Sequence, residues 1–118
     1  MLNRKVTVYV PGTVNGIEPA PALQAENALL VISQLSRWFG GATMTDATGA
    51  WVSDVHGLVL EPVKLVTSST DAAGIAAHQD NLLQLGSYLA QVQGQEAVAI
   101  EIDGTMHFAT QTDLKVAA

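Results

Sequence analysis

The sequence predicts an α+β domain in which two helices cover one face of an antiparallel sheet. Three observations carry this reading. Residues 4–10 and 97–102 alternate apolar and polar side chains, the period of half-buried strands. Two long segments, near 21–39 and 70–93, repeat their apolar residues every three or four positions, the period of helices packed on one side. Between them lies a pair of extended segments joined by a short polar turn.

Each element has a local cause. In Arg4–Val10, Val6, Val8 and Val10 point one way while Thr7 and Tyr9 point the other. Pro11 and Gly12 stop this strand, and Gly12–Pro21 reads as loop from its glycines and prolines. The helix Pro21–Phe39 opens on a proline, which suits a first helical position. Ala28, Val31, Leu35, Trp38 and Phe39 form its buried stripe, widened by Leu29, Leu30 and Ile32. Gln24, Asn27, Gln34 and Arg37 fall on the solvent side of that pattern, and Gly40–Gly41 supplies a left-handed stop. Ala42–Ser53 reads as a strand interrupted by a bulge or turn at Asp46–Gly49. Asp54–Gly57 is a hairpin connection, and Leu58–Ser68 returns beside the previous strand. The alternation changes phase at Pro62, which predicts a bulge or an edge there.

The second helix runs from Thr70 to Gln93, capped by Asp71 or Thr70, with Ile75, His78, Leu82, Leu85, Leu89 and Val92 as its seam. Gly94 ends it. Ala97–Ile102 is a strand, Asp103–Gly104 a two-residue hairpin turn, and Thr105–Ala109 a last short strand. The order is β-α-β-β-α-β, the ferredoxin-like layout, with an extra C-terminal hairpin strand. Residues 1–109 read as a single domain, and 110–118 as a polar, then small-residue tail expected to be disordered.

Composition narrows the chemistry. At 118 residues, 48% of them hydrophobic and 14% charged, the chain can build a real core. Without cysteine it has no disulfides, no thiolate nucleophile and no cysteine-based metal site. Eleven acidic and five basic residues give a net charge of −6, which makes a poor surface for tracking phosphates, so no nucleic-acid partner is expected. The longest apolar run, Ala28–Ile32, is too short to cross a bilayer, and the N-terminus lacks the continuous apolar stretch of a signal peptide. The expectation is a soluble cytoplasmic protein with no membrane partner.

In this layout the second sheet face is uncovered. Its expected residues are Thr7, Tyr9, Thr43, Thr45, Trp51, Lys64 or Val66, Ala97, Ala99 and Glu101, a set poorer in charge than a solvated face. An apolar patch with a polar rim marks an interface, and a second copy of the chain is its simplest occupant. Asp54 and His56 invite a proton-transfer reading, but neighbours on a tight turn hold no fixed geometry, and turn residues are chosen for backbone shape. His78 fits a core-edge imidazole with one hydrogen bond. His107 sits on a short edge strand. The three histidines show no zinc-ligand spacing, and there is no G-x-S-x-G elbow, P-loop or dinucleotide fingerprint.

The stretches FGGATMTDATGAWVSDVHGLVLEP and GQEAVAIEIDGTMHF resemble a group of small proteins of bacteria and their phages that have no assigned activity. The shared positions are Gly40, Gly41, Gly49, Trp51, Gly57, Gly94, Gln95, Glu96, Asp103 and Gly104. The resemblance implies a ferredoxin-like domain with an accessory or mobile-element role, and it carries over no catalytic residue. The sequence therefore reads as a non-enzymatic homo-oligomeric binding module, sequestering a small anionic, nucleotide-like ligand or inhibiting a host protein. Its expected contacts are Tyr9, Trp51 and Lys64, with Arg4 and Arg37 as anion partners, and no cofactor or metal. The alternative is a small dimeric enzyme of monooxygenase or isomerase type that uses a histidine–carboxylate pair built on His56, His78 or His107.

Overall fold

The structure, a computed structural model, describes residues 1–113. Two helices lie on one face of a five-stranded antiparallel sheet. In chain order the elements are β1 (Arg4–Pro11), β2 (Thr13–Val14), β3 (Glu18–Pro19), α1 (Pro21–Phe39), β4 (Thr43–Ser53), β5 (Gly57–Thr70), α2 (Ala72–Val92), β6 (Ala97–Ile102) and β7 (Thr105–Thr110), followed by a 3₁₀ turn at Gln111–Asp113. The sheet order is β4-β5-β1-β6-β7. Strand β5 thus lies between β1 and β4, and β1 between β5 and β6, which is the order of two interleaved split β-α-β units. Residues 114–118, most of the expected tail, lie outside the described residues; Thr110 still belongs to β7, and Gln84 Nε2 donates to the Asp113 carbonyl.

The core forms where the alternating strands meet the helical seams. Val6, Val8, Val10, Val66 and Ile100 of the sheet are fully buried against Val31 and Leu35 of α1 and Leu82 and Leu89 of α2. The caps follow local chemistry. Asp71 Oδ1 accepts the Gly74 amide at 2.8 Å, and Gly40 closes α1 at φ +91° by donating to the Ser36 carbonyl.

Several expectations require correction. Leu29 is exposed rather than part of the buried stripe, while Gln24 and Asn27, expected in solvent, are each 5% exposed. Both amides are consumed inside. Gln24 Nε2 donates to the carbonyls of Val10 and Pro62, and Asn27 Nδ2 donates to Gln93 Oε1 at 2.8 Å. The Gly12–Pro21 loop contains the small hairpin β2–β3, turned by Asn15 (φ 53°) and Gly16 (φ 77°), the Asn-Gly pairing that favours tight hairpins. Strand β4 is unbroken at 46–49, and its ladder with β5 runs through Thr48↔Pro62 without slipping. The phase change at Pro62 has another origin. β1 ends opposite Val63, so β5 before that point has no inner neighbour.

Gly12 is the tightest passage in this part of the chain. A Cβ there would lie 2.1 Å from the Pro62 carbonyl oxygen and 2.8 Å from Pro62 Cγ. Gly12→Ala is expected to cost about 2–3 kcal/mol in urea unfolding, because backbone rather than a mobile side chain blocks the methyl. Ser87 is the counter-case: its hydroxyl is buried and lacks a hydrogen-bond partner among the described residues. Ser87→Ala should leave stability within ~0.5 kcal/mol or raise it. Equal losses in the two variants would contradict this view of the core.

Candidate functional site

Beyond the end of β1, residues 48–53 and 57–62 project as a two-stranded arm. The sequence at its tip folds as a turn. Ser53 Oγ accepts the amides of Val55 and His56, both at 3.1 Å, and Asp54, Val55 and His56 are exposed. The arm is unusually apolar for an unsupported ribbon. Val52 is 77% exposed, Leu58 67% and Leu60 63%.

The pairing register sorts its side chains onto two faces. On the helix-facing side stand Val10, Lys64 and Asp46, then Pro62 and Thr48, Leu60 and Ala50, Leu58 and Val52. On the open side stand Tyr9, Leu65 and Thr45, then Pro11, Val63 and Ala47, Glu61 and Gly49, Val59 and Trp51. The open face continues over β1 and β6 through Thr7 and Glu101, and over β7 through Phe108 opposite Ala99 and Met106 opposite Glu101. Phe108 is 65% exposed.

Glu61 is the notable group on this face. It is a half-buried carboxylate between the apolar stretches Leu58–Leu60 and Pro62–Val63, and the Thr13 hydroxyl donates to its Oε2 at 2.9 Å. Its opposite residue is Gly49, whose missing side chain keeps the carboxylate uncovered. A Cβ on Gly49 would lie 3.8 Å from Glu61 Cγ and 2.9 Å from Val63 Cγ2. Trp51 stands diagonally across the same face, close enough for a large ring and a long carboxylate to act on one ligand. Such a pair suits a cation: the ring offers its π face and the carboxylate offers charge.

Two concavities lie elsewhere. One, of about 550 Å³, is bounded by Leu2, Lys5, the Phe39–Thr43 segment and Thr67–Ser69, at the other end of the sheet. The second, of about 420 Å³, is a groove over the helices between Trp38, Leu85 and Tyr88. Neither is lined by a histidine.

The expected site residues divide. Tyr9 and Trp51 share the open face. Lys64 does not join them: it stands on the helix-facing side and pairs with Asp46 at 2.6 Å, while Val66 is in the core. Arg4 pairs with Asp103, and Arg37 lies in the last turn of α1, so among the described residues neither arginine is shown beside Tyr9 and Trp51. The histidines lie apart. His56 is at the arm's tip, and His107 is on β7 opposite Ile100. The His78 ring stacks on Trp38 at 5.5 Å, meets Phe39 edge-on at 5.5 Å, and has Nδ1 3.1 Å from Asn81 Nδ2. No cluster of three or more His, Asp or Glu among the described residues is placed to hold a metal ion.

No protein-family model matches this chain, and no curated protein matches it in sequence. Two solved structures share its fold. One is a phage SAM lyase in complex with S-methyl-5′-thioadenosine, with TM-score 0.64 and 16% identity over 91% of this chain and 88% of that one. The other is a phage SAM lyase in the apo state, with TM-score 0.61 and 20% identity over the same shares. The expectation of a non-enzymatic module is corrected by these matches, because the fold of nearly the whole chain is, in both, the fold of an enzyme. His56, His78 and His107 stand at the arm's tip, on α2 and on β7, and neither concavity is lined by any of them.

Sequence reasoning missed Glu61 and Thr13, and it named Gln95 without a role. A signal for the first was present: a lone acid within the run Leu58–Val66, opposite a glycine in the preceding strand. Thr13 carried none, because its contact with Glu61 spans 48 residues of chain; Gln95 stands among the shared positions, but its contact with Thr13 spans 82 residues.

Proposed function

We propose that the protein is a lyase of the SAM-cleaving type, working on a sulfonium nucleoside and releasing S-methyl-5′-thioadenosine. The observation that carries this reading is the likeness over 91% of the chain to a SAM lyase holding S-methyl-5′-thioadenosine. Two features of the chain support it. The open face pairs an aromatic ring, Trp51, with a carboxylate, Glu61, which suits a substrate that carries a sulfonium. The net charge of −6 favours the approach of a ligand with net positive charge.

The chemistry asks little of the protein beyond placement. When the bond between sulfur and the aminocarboxypropyl chain breaks, its electron pair stays on sulfur and the cation becomes a neutral thioether. The four-carbon fragment then either loses a proton to a base or closes on its own carboxylate. Glu61 is the group in reach for the first course, and for the second it holds the substrate's ammonium. An apolar setting speeds both, because positive charge on sulfur disappears in the transition state and water no longer stabilises the ground state. Val59, Val63 and Trp51, beside Glu61 on the open face, contribute to that setting.

On this reading the protein acts in the cytoplasm, on a ferredoxin-like scaffold, and as a homo-oligomer. A second copy covers Val52, Leu58 and Leu60, whose exposure on a monomer would be costly.

Incubation of the purified protein with SAM, followed by chromatography, should show S-methyl-5′-thioadenosine accumulating far above the rate without protein. Glu61→Gln should lower that rate roughly a hundredfold or more. Absence of product from the wild type would remove the proposal. Light scattering should show a species larger than a monomer, shifted to monomer by Leu58→Glu. A monomeric wild type would contradict the assembly.

A further inference from the structure

We propose that Thr13 is a positioning residue for the Glu61 carboxylate, and that Gln93 and Gln95 hold Thr13 in place to do so. The proposal rests on the reading of Glu61 as the site's acid and goes beyond it, by assigning a role to a buried network far from Glu61 in sequence.

Glu61 needs such a partner. It stands on β5 just beyond the last residue paired with β1, where the sheet has narrowed to a two-stranded ribbon. Ribbons of this kind hold marginally on their own, and a glutamate side chain there has several rotamers to lose. The Thr13 hydroxyl is the hydrogen-bond partner that fixes one oxygen, Oε2, at 2.9 Å. The other oxygen, Oε1, has no protein partner among the described residues, so one oxygen belongs to the fold and one is free for a ligand.

Thr13 is itself held unusually well for a loop residue. It is 3% exposed although it belongs to a strand of two residues. Its carbonyl accepts from Gln93 Nε2 at 3.0 Å and from Gln95 Nε2 at 2.8 Å. Both glutamines are buried at the end of α2, and the amide of Gln93 has a fixed sense. Asn27 Nδ2 donates to its Oε1, so its NH₂ must face the carbonyls of Pro11 and Thr13. Gln95 Nε2 also approaches the Thr13 hydroxyl oxygen at 3.4 Å. That donor occupies the lone-pair side of the hydroxyl and leaves its proton for Glu61. Threonine's β-branch restricts χ1, so the hydroxyl keeps this aim at little entropic cost. Each donor and acceptor from α1 to the carboxylate therefore has one workable direction.

The test uses the cleavage of SAM by the full chain and follows kcat and KM separately. Thr13→Val keeps the shape and removes the hydroxyl. It should lower kcat roughly tenfold to a hundredfold with KM changed little, and Thr13→Ser should recover most of the loss. In a Glu61→Gln background the same Thr13→Val change should have no further effect on kcat, since the hydroxyl acts through the carboxylate. Should Thr13→Val not fold, Thr13→Cys carries the same test, because a thiol donates weakly at similar size. Wild-type kcat in Thr13→Val, or an undiminished loss in the Glu61→Gln background, overturns the positioning role while leaving the lyase reading intact. A wild type that does not cleave SAM overturns both.

Discussion

The side-chain amide of Gln93 sits where distant parts of the chain have to meet. It is fully buried at the end of α2, accepts from Asn27 of α1, and donates to the carbonyls of Pro11, the last residue of β1, and Thr13. A buried amide left without partners costs about 1–3 kcal/mol for each unpaired group. The β1–α1 connection, the middle of α1 and the end of α2 are thus locked in one arrangement, because any displacement leaves several buried polar groups bare. The valine and leucine core supplies the cohesion, and this amide supplies the register at one end of the molecule.

The arm and the open face inherit that order. The helix-covered part of the sheet is secured by its core, whereas the arm has no inner neighbour once β1 has ended. What ties it down is polar and local: Gln24 reaches from α1 to the Pro62 carbonyl, and Thr13 reaches from β2 to Glu61. Both contacts begin on elements that the buried glutamines and Asn27 fix. The result is a largely apolar ribbon with the Glu61 carboxylate held at its root, at the border between scaffold and exposed surface. That border is where a reaction needs rigidity on one side and access on the other.

How far the sequence was legible follows from the range of the forces involved. α1 and β6 match their expected bounds, and Asp71, Gly40 and Gly94 end helices as expected, because periodicity and capping act over a few residues. Thr7, Tyr9 and Trp51 stand on the open face as expected, whereas Lys64 and Val66, either of which was expected there, both face the helices, since the ladder passes Pro62 without a bulge. Gly49 looked like a break in a strand, yet it is glycine because Val63 approaches from the neighbouring strand. Gln24 and Asn27 looked like solvent residues because polarity is the local cue, and their buried partners are the carbonyls of Val10 and Pro62 and the Gln93 side chain. The candidate site is half visible in the sequence. Trp51 announced itself by type and position, whereas Glu61 became meaningful only with Thr13 beneath it.

On the proposed reading, ligand chemistry resides on the open face at the root of the arm and not in the grooves elsewhere. The two tryptophans report on it separately, Trp51 on that face and Trp38 stacked with His78 over the helices. In a two-dimensional NMR titration with S-methyl-5′-thioadenosine, the Trp51 indole N–H resonance should move in a saturable way while that of Trp38 stays in place. Movement of Trp38 alone, or of neither, would contradict the account.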